Sequence, residues 1–116
     1  MNSEKRAEIK TAYKMTHRQI GVYQIKNTEN GKIFIGSSLN LQGRLNRHKF
    51  ELTLGSDQNK KMQKDCQKYG IDKFSFDILE CLDPSDDMNH DYTDDLAALE
   101  ALWLEKLNPY DENGYN

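Results

Sequence analysis

The sequence predicts an α+β domain, a small three-stranded antiparallel sheet flanked by helices. Three observations carry this expectation. Two strand-like runs, GVYQIKN at 21–27 and KIFIG at 32–36, stand on either side of an Asn-Gly turn signal. A third run, KFSFDILE at 73–80, alternates Phe74, Phe76 and Ile78 with polar residues, as a half-buried strand does. The remaining stretches show helical spacing, opened by capping side chains and closed by glycine or proline.

Taken in order, residues 3–15 form a weakly amphipathic helix, with Ser3 as cap and Ile9, Ala12 and Tyr13 on one side. After the two strands, residues 40–54 are helical. Asn40 caps, Leu41, Leu45, His48 and Leu52 share a face, and Gly55 ends the helix in the left-handed conformation. Residues 58–69 form a mostly polar helix stopped by Gly70. The stretch 83–95 is an acidic connector whose spacing fits no calcium loop. The last helix spans 93–107, with Thr93 as cap, Asp94 and Asp95 at its positive end, Lys106 at its negative end and Pro109 beyond.

A chain of 116 residues supports one modest core. No stretch reaches the length of a membrane span, and the charged N-terminus lacks the apolar centre of a signal peptide. The expected compartment is therefore the cytoplasm. Cys66 and Cys81 lack CxxC spacing and read as free thiols. The net charge of −3 hides an asymmetry: residues 1–64 carry thirteen Lys/Arg against five Asp/Glu, and residues 65–116 carry three against fourteen. A basic half can bind phosphates even in an acidic molecule; alternatively the two halves neutralise each other on folding.

Several polar residues fall on apolar faces. In the last helix Leu96, Leu99, Trp103 and Leu107 define the core stripe, and Glu100 lies inside it. A carboxylate aimed at a core is costly unless it is paired or binds a cation. On the helix at 40–54, Arg44 and His48 are four residues apart and border the apolar stripe. Singly, each of the three reads as a boundary or snorkelling residue. Together, opposite strands that carry Tyr23, they suit phosphodiester cleavage. Arginine neutralises phosphate through paired donors, a carboxylate holds Mg²⁺, and tyrosine or histidine deprotonates water. No serine or cysteine beside a base supports acyl transfer.

These residues fall in a recognisable order. GVY at 21–23, FIG at 34–36, SSLNLQGRLNRH at 37–48, LEALWLEKLNP at 99–109 and the closing NGYN resemble the motifs of the GIY-YIG nuclease family, especially the catalytic domains of phage-type homing endonucleases. A more distant likeness is to the incision subunit of bacterial excision repair. The resemblance divides the chain into an N-terminal helical extension, 1–19, and a nuclease domain, 20–116. It implies a metal-dependent DNA endonuclease with one divalent ion, Mg²⁺ or Mn²⁺, on Glu100. Arg44 would steady the phosphate, Tyr23 would activate water and His48 would assist by hydrogen bonding or proton transfer. Ser37 and Asn116 would support the site, and Gly36 would leave room for the helix that follows.

Phe34 departs from the family pattern, since it stands where the second tyrosine is expected. Its missing hydroxyl implies either a slower enzyme or a degenerate domain that binds nucleic acid or protein without cutting. RNA is a further substrate class. DNA would approach the basic N-terminal half. The chain stops at the motif's final asparagine, so sequence-specific recognition is expected from a homodimer or a partner protein.

Overall fold

The structure, a computed structural model, describes residues 19–83 and 90–116. The helix expected at 3–15, with Ser3 and Tyr13, lies outside the described residues, as does the middle of the acidic connector. The described elements are β1 (Gly21–Asn27), β2 (Ile33–Ser38), α1 (Leu41–Leu54), α2 (Lys60–Tyr69), β3 (Phe74–Cys81) and α3 (Thr93–Leu107). No helix among the described residues is long and apolar enough to cross a membrane.

The sheet is antiparallel, with order β2-β1-β3, so β1 is central and β2 lies at one edge. The Asn-Gly turn forms as expected: Gly31 takes φ 78° and donates its N–H to Asn27 C=O at 2.8 Å. Alternation along β1 sends Tyr23 and Ile25 to one face, where they meet Leu41, Leu45, Leu52, Met62, Cys66, Phe74 and Tyr115 in the core. The other face carries buried Val22 and Ile35, and α3 packs against it. The sheet therefore lies between α1 and α2 on one side and α3 on the other. Ile78 is exposed, not half-buried; a register shift opposite Val22 and Tyr23 interrupts the β1–β3 ladder beside it.

The termini of α1 match the sequence reading. The Asn40 side chain accepts from Gly43 N–H at 3.1 Å, and Gly55 closes the helix at φ 88°. The second helix starts at Lys60, not at 58. Asn59 is its cap, accepting from Met62 N–H at 3.0 Å, because Asp57 is buried and pins the preceding loop. This mostly polar helix still contributes Met62, Gln63 and Cys66 to the interior. Thr93 is the first residue of α3 rather than its cap. Tyr92 occupies the cap position, and Asp91 just before it closes a local turn, accepting from Thr93 N–H at 2.9 Å and from its hydroxyl at 2.6 Å. The helix ends at Leu107, where left-handed Asn108 precedes Pro109. Cys66 and Cys81 are free thiols, one buried and one exposed.

The C-terminal tail then runs beside the open edge of β2. Tyr115 N–H donates to Ile33 C=O at 2.9 Å. The Asn116 side chain both accepts from Ile35 N–H at 2.8 Å and donates to Ile35 C=O at 2.7 Å. Backbone groups that an edge strand leaves unpaired are thus used by the last residues of the chain.

Candidate active site

The stripe that makes α1 amphipathic also aims His48 inward, between Leu45 and Leu52 and against the sheet. There its Nε2 lies 3.0 Å from the hydroxyl of Tyr23, itself only 3% exposed. Phe34 completes the group. Its ring meets the His48 imidazole edge-on at a centroid separation of 5.6 Å and stands 6.1 Å from the ring of Tyr23. Where the second family tyrosine would stand, this chain has an apolar wall against His48.

Gly36 is directly opposite Tyr23 on β2. A Cβ at that position would stand 2.5 Å from Cζ of Tyr23, so the phenol lies across the glycine. The expectation that Gly36 makes room for the following helix is corrected: it makes room for Tyr23. Burial pushes the Tyr23 hydroxyl up to about 12; the positive charge of Arg44 acts against this, and the charges of Asp57 and Glu100 add to it. All three charged groups therefore act on this one hydroxyl.

Arg44 lies one turn before His48 and is exposed. With Arg47, His48, Glu51 and Gln58 it lines a small surface depression. Arg47 is held by Glu51 at 2.9 Å, whereas Arg44 forms no ion pair among the described residues. Its guanidinium is available to a phosphate.

Glu100 arrives from α3, on the opposite face of the sheet from His48. It is half-buried and accepts a hydrogen bond from the hydroxyl of Ser37. Ser37 directly follows the glycine beneath Tyr23. The acidic and phenolic groups thus approach each other around the end of β2. Asn116 braces the same strand from its outer edge, two residues before Ser37. Among the described residues no group of three or more His, Cys, Asp or Glu side chains is arranged to hold a metal. A single carboxylate with one oxygen engaged by Ser37 suits a hard cation that retains most of its water.

One partner of the site was not anticipated from sequence. Asp57 is fully buried, and its Oδ2 lies 2.8 Å from His48 Nδ1. It sits between α1 and α2, in a stretch with no periodicity. Its only sequence signal is an acidic residue between two helices, the usual mark of a solvated loop. His90, by contrast, stays outside the site, paired with Asp95 at 2.8 Å and stacked edge-on against Tyr92.

A three-stranded sheet between helices, with Tyr, Arg, His and Glu gathered around the end of its second strand, defines a class of small catalytic domain. The chain belongs to the GIY-YIG family: the model of the GIY-YIG catalytic domain matches residues 19–116. It is 34% identical over 96 residues to Intron-associated endonuclease 1 of Enterobacteria phage T4, an alignment that covers 83% of this chain and 36% of that protein. The chain thus spans about a third of that relative's length. Two structures of the catalytic domain of the homing endonuclease I-TevI, one a point mutant, superpose with a TM-score of 0.68 at 33% identity. They match 84% of this chain and 92% and 97% of theirs.

Proposed function

We propose that the protein is a metal-dependent DNA endonuclease that hydrolyses phosphodiester bonds. The observation that carries this is the buried Tyr23–His48 hydrogen bond, on which the charges of Arg44 and Glu100 converge. The relatives named as homing and intron-associated endonucleases support DNA as the substrate.

In this reading Arg44 grips the non-bridging oxygens of the scissile phosphate and offsets the charge that accumulates as water attacks. Tyr23, with its hydroxyl at about 12, is a neutral phenol at physiological pH and cannot act as a base unaided. It accepts a proton from water as its own passes to His48 Nε2, 3.0 Å away. Ser37 fixes the Glu100 carboxylate, and Asn116 fixes the strand that carries Ser37. Glu100 would hold Mg²⁺ or Mn²⁺, which when bound supplies charge stabilisation at the leaving oxygen. The basic residues of α1 and the preceding sequence meet the DNA backbone.

The test is cleavage of supercoiled and branched DNA with Mg²⁺, with Mn²⁺ and with chelator, using wild type, Arg44→Ala and Glu100→Gln. The expected result is metal-dependent nicking lost in both variants, with binding retained in Glu100→Gln. Nicking that survives both substitutions rejects this site. Salt-sensitive binding without cutting favours the degenerate, binding-only reading, and cutting confined to RNA changes the substrate class.

A further inference from the structure

A charged group buried in a small domain needs a reason, and Asp57 has none in the core. It is 0% exposed, and it has no lysine or arginine partner among the described residues. Both carboxylate oxygens are nevertheless used. Oδ1 accepts from Asn59 N–H at 2.9 Å, and Oδ2 faces His48 Nδ1 at 2.8 Å. The residue is fixed from behind as well: its own N–H donates to Gln63 Oε1 at 2.8 Å, and Gln63 Nε2 donates to Leu52 C=O at 3.0 Å. Gln63 is itself buried. The polar groups of this loop form one satisfied network whose outlet is the imidazole.

A carboxylate presents acceptors only, so the proton in the 2.8 Å contact belongs to His48 Nδ1. A neutral imidazole protonated at Nδ1 has a lone pair at Nε2. That lone pair faces the Tyr23 hydroxyl. Phe34 packs edge-on against the same ring, at 5.6 Å between centroids.

We propose that Asp57 is the positioning residue of the site: it holds His48 in the Nδ1–H tautomer, so that Nε2 receives the Tyr23 proton. The inference rests on the nuclease reading above for its functional meaning, though not for its geometry. The step balances. Water loses a proton to the Tyr23 oxygen as its own oxygen bonds to phosphorus. The phenolic proton moves to His48 Nε2, and the P–O bond to the leaving group breaks with its electron pair on the leaving oxygen, which solvent then protonates. Asp57 stays ionised and stabilises the resulting imidazolium, without taking a proton itself. It touches neither substrate nor metal.

The tautomer is directly measurable. Ring-nitrogen NMR of isotope-labelled histidine, with the His48 signal identified by its loss in His48→Gln, should show the wild-type proton on Nδ1. In Asp57→Asn the amide oxygen keeps the Asn59 N–H bond and the NH₂ group faces the ring, so the proton should move to Nε2. Nicking should fall ~10²–10⁴-fold, the range of a lost acid–base partner, while DNA binding is unchanged. A wild-type His48 protonated at Nε2 overturns the assignment even if the variant fails to fold. A folded Asp57→Asn protein that cuts at the wild-type rate also overturns it. A wild type that cuts no DNA counts against the nuclease reading alone, and the NMR result then decides the placement of the proton.

Discussion

The phenol of Tyr23 fills the space where a side chain on Gly36 would begin. Gly36 is not among the glycines with positive φ, so its backbone would admit any residue; the constraint is the ring above it. Gly36→Ala should force Tyr23 aside, with a loss of about 1–3 kcal/mol typical of overpacking. Cutting should fall further than the stability change accounts for, because the Tyr23–His48 bond is broken. A denaturant melt and a nicking assay separate the two effects. Normal activity in a merely destabilised Gly36→Ala would argue that the Tyr23 position is not used in the reaction.

Phe34 is a probe of how the chemistry is shared. Its ring packs against both Tyr23 and His48, so a hydroxyl added in Phe34→Tyr would sit beside the Tyr23–His48 hydrogen bond. If that position donates to the transition state, the rate should rise by up to ~10²–10³-fold. An equal rate would mean that the Tyr23–His48 pair suffices here, and single-turnover nicking distinguishes the outcomes.

Asn116 makes two opposed hydrogen bonds to one residue of β2, accepting from Ile35 N–H and donating to its C=O. Asn116→Asp preserves the acceptor, removes the donor and sets a carboxylate against a carbonyl. The expected cost is about 1–3 kcal/mol, that of leaving a polar group without its partner. Thermal unfolding measures it. Asn116→Asp stability equal to wild type would show that the tail is not anchored through this side chain.

Burial of two tyrosines makes the fold sensitive to alkali. The ordinary value is 10.0, and burial raises both Tyr23 and Tyr115 to about 12, with the Asp65 carboxylate adding to the rise at Tyr115. The folded state thus binds these protons more tightly than the unfolded chain. The stabilisation is full below pH 10.0 and is lost as pH climbs towards about 12. A tyrosinate absorbance titration should therefore show two of the six tyrosines ionising late, together with unfolding. Tyr23→Phe should remove one of them. Ionisation of all six near the ordinary value with the fold intact would contradict this.

Much of this molecule can be read from local pattern. The Asn-Gly turn, the Asn40 cap, the Gly55 stop and the inward stripe of α1 each depend on residues a few positions apart, and each forms as written. The second helix starts two residues later than expected, behind the Asn59 cap, and the third has the expected bounds but begins with Thr93 inside it, not as its cap. Any of several neighbouring Asp, Asn, Ser or Thr side chains satisfies the same backbone N–H in sequence terms, and the tertiary position of the loop selects one.

The sheet, the order of the elements and the family were legible in the chain alone, because those follow from periodicity, turn chemistry and ordered motifs. The sequence also singled out Tyr23, Arg44, His48 and Glu100 as the residues to watch. Folding alone makes Gly36 yield its space to Tyr23, brings Glu100 to Ser37 around a strand end, and sets Asp57 behind His48. Those relationships join residues from 9 to 63 positions apart through space. No local rule encodes them, since a buried carboxylate and a solvated one look alike until the fold removes the water.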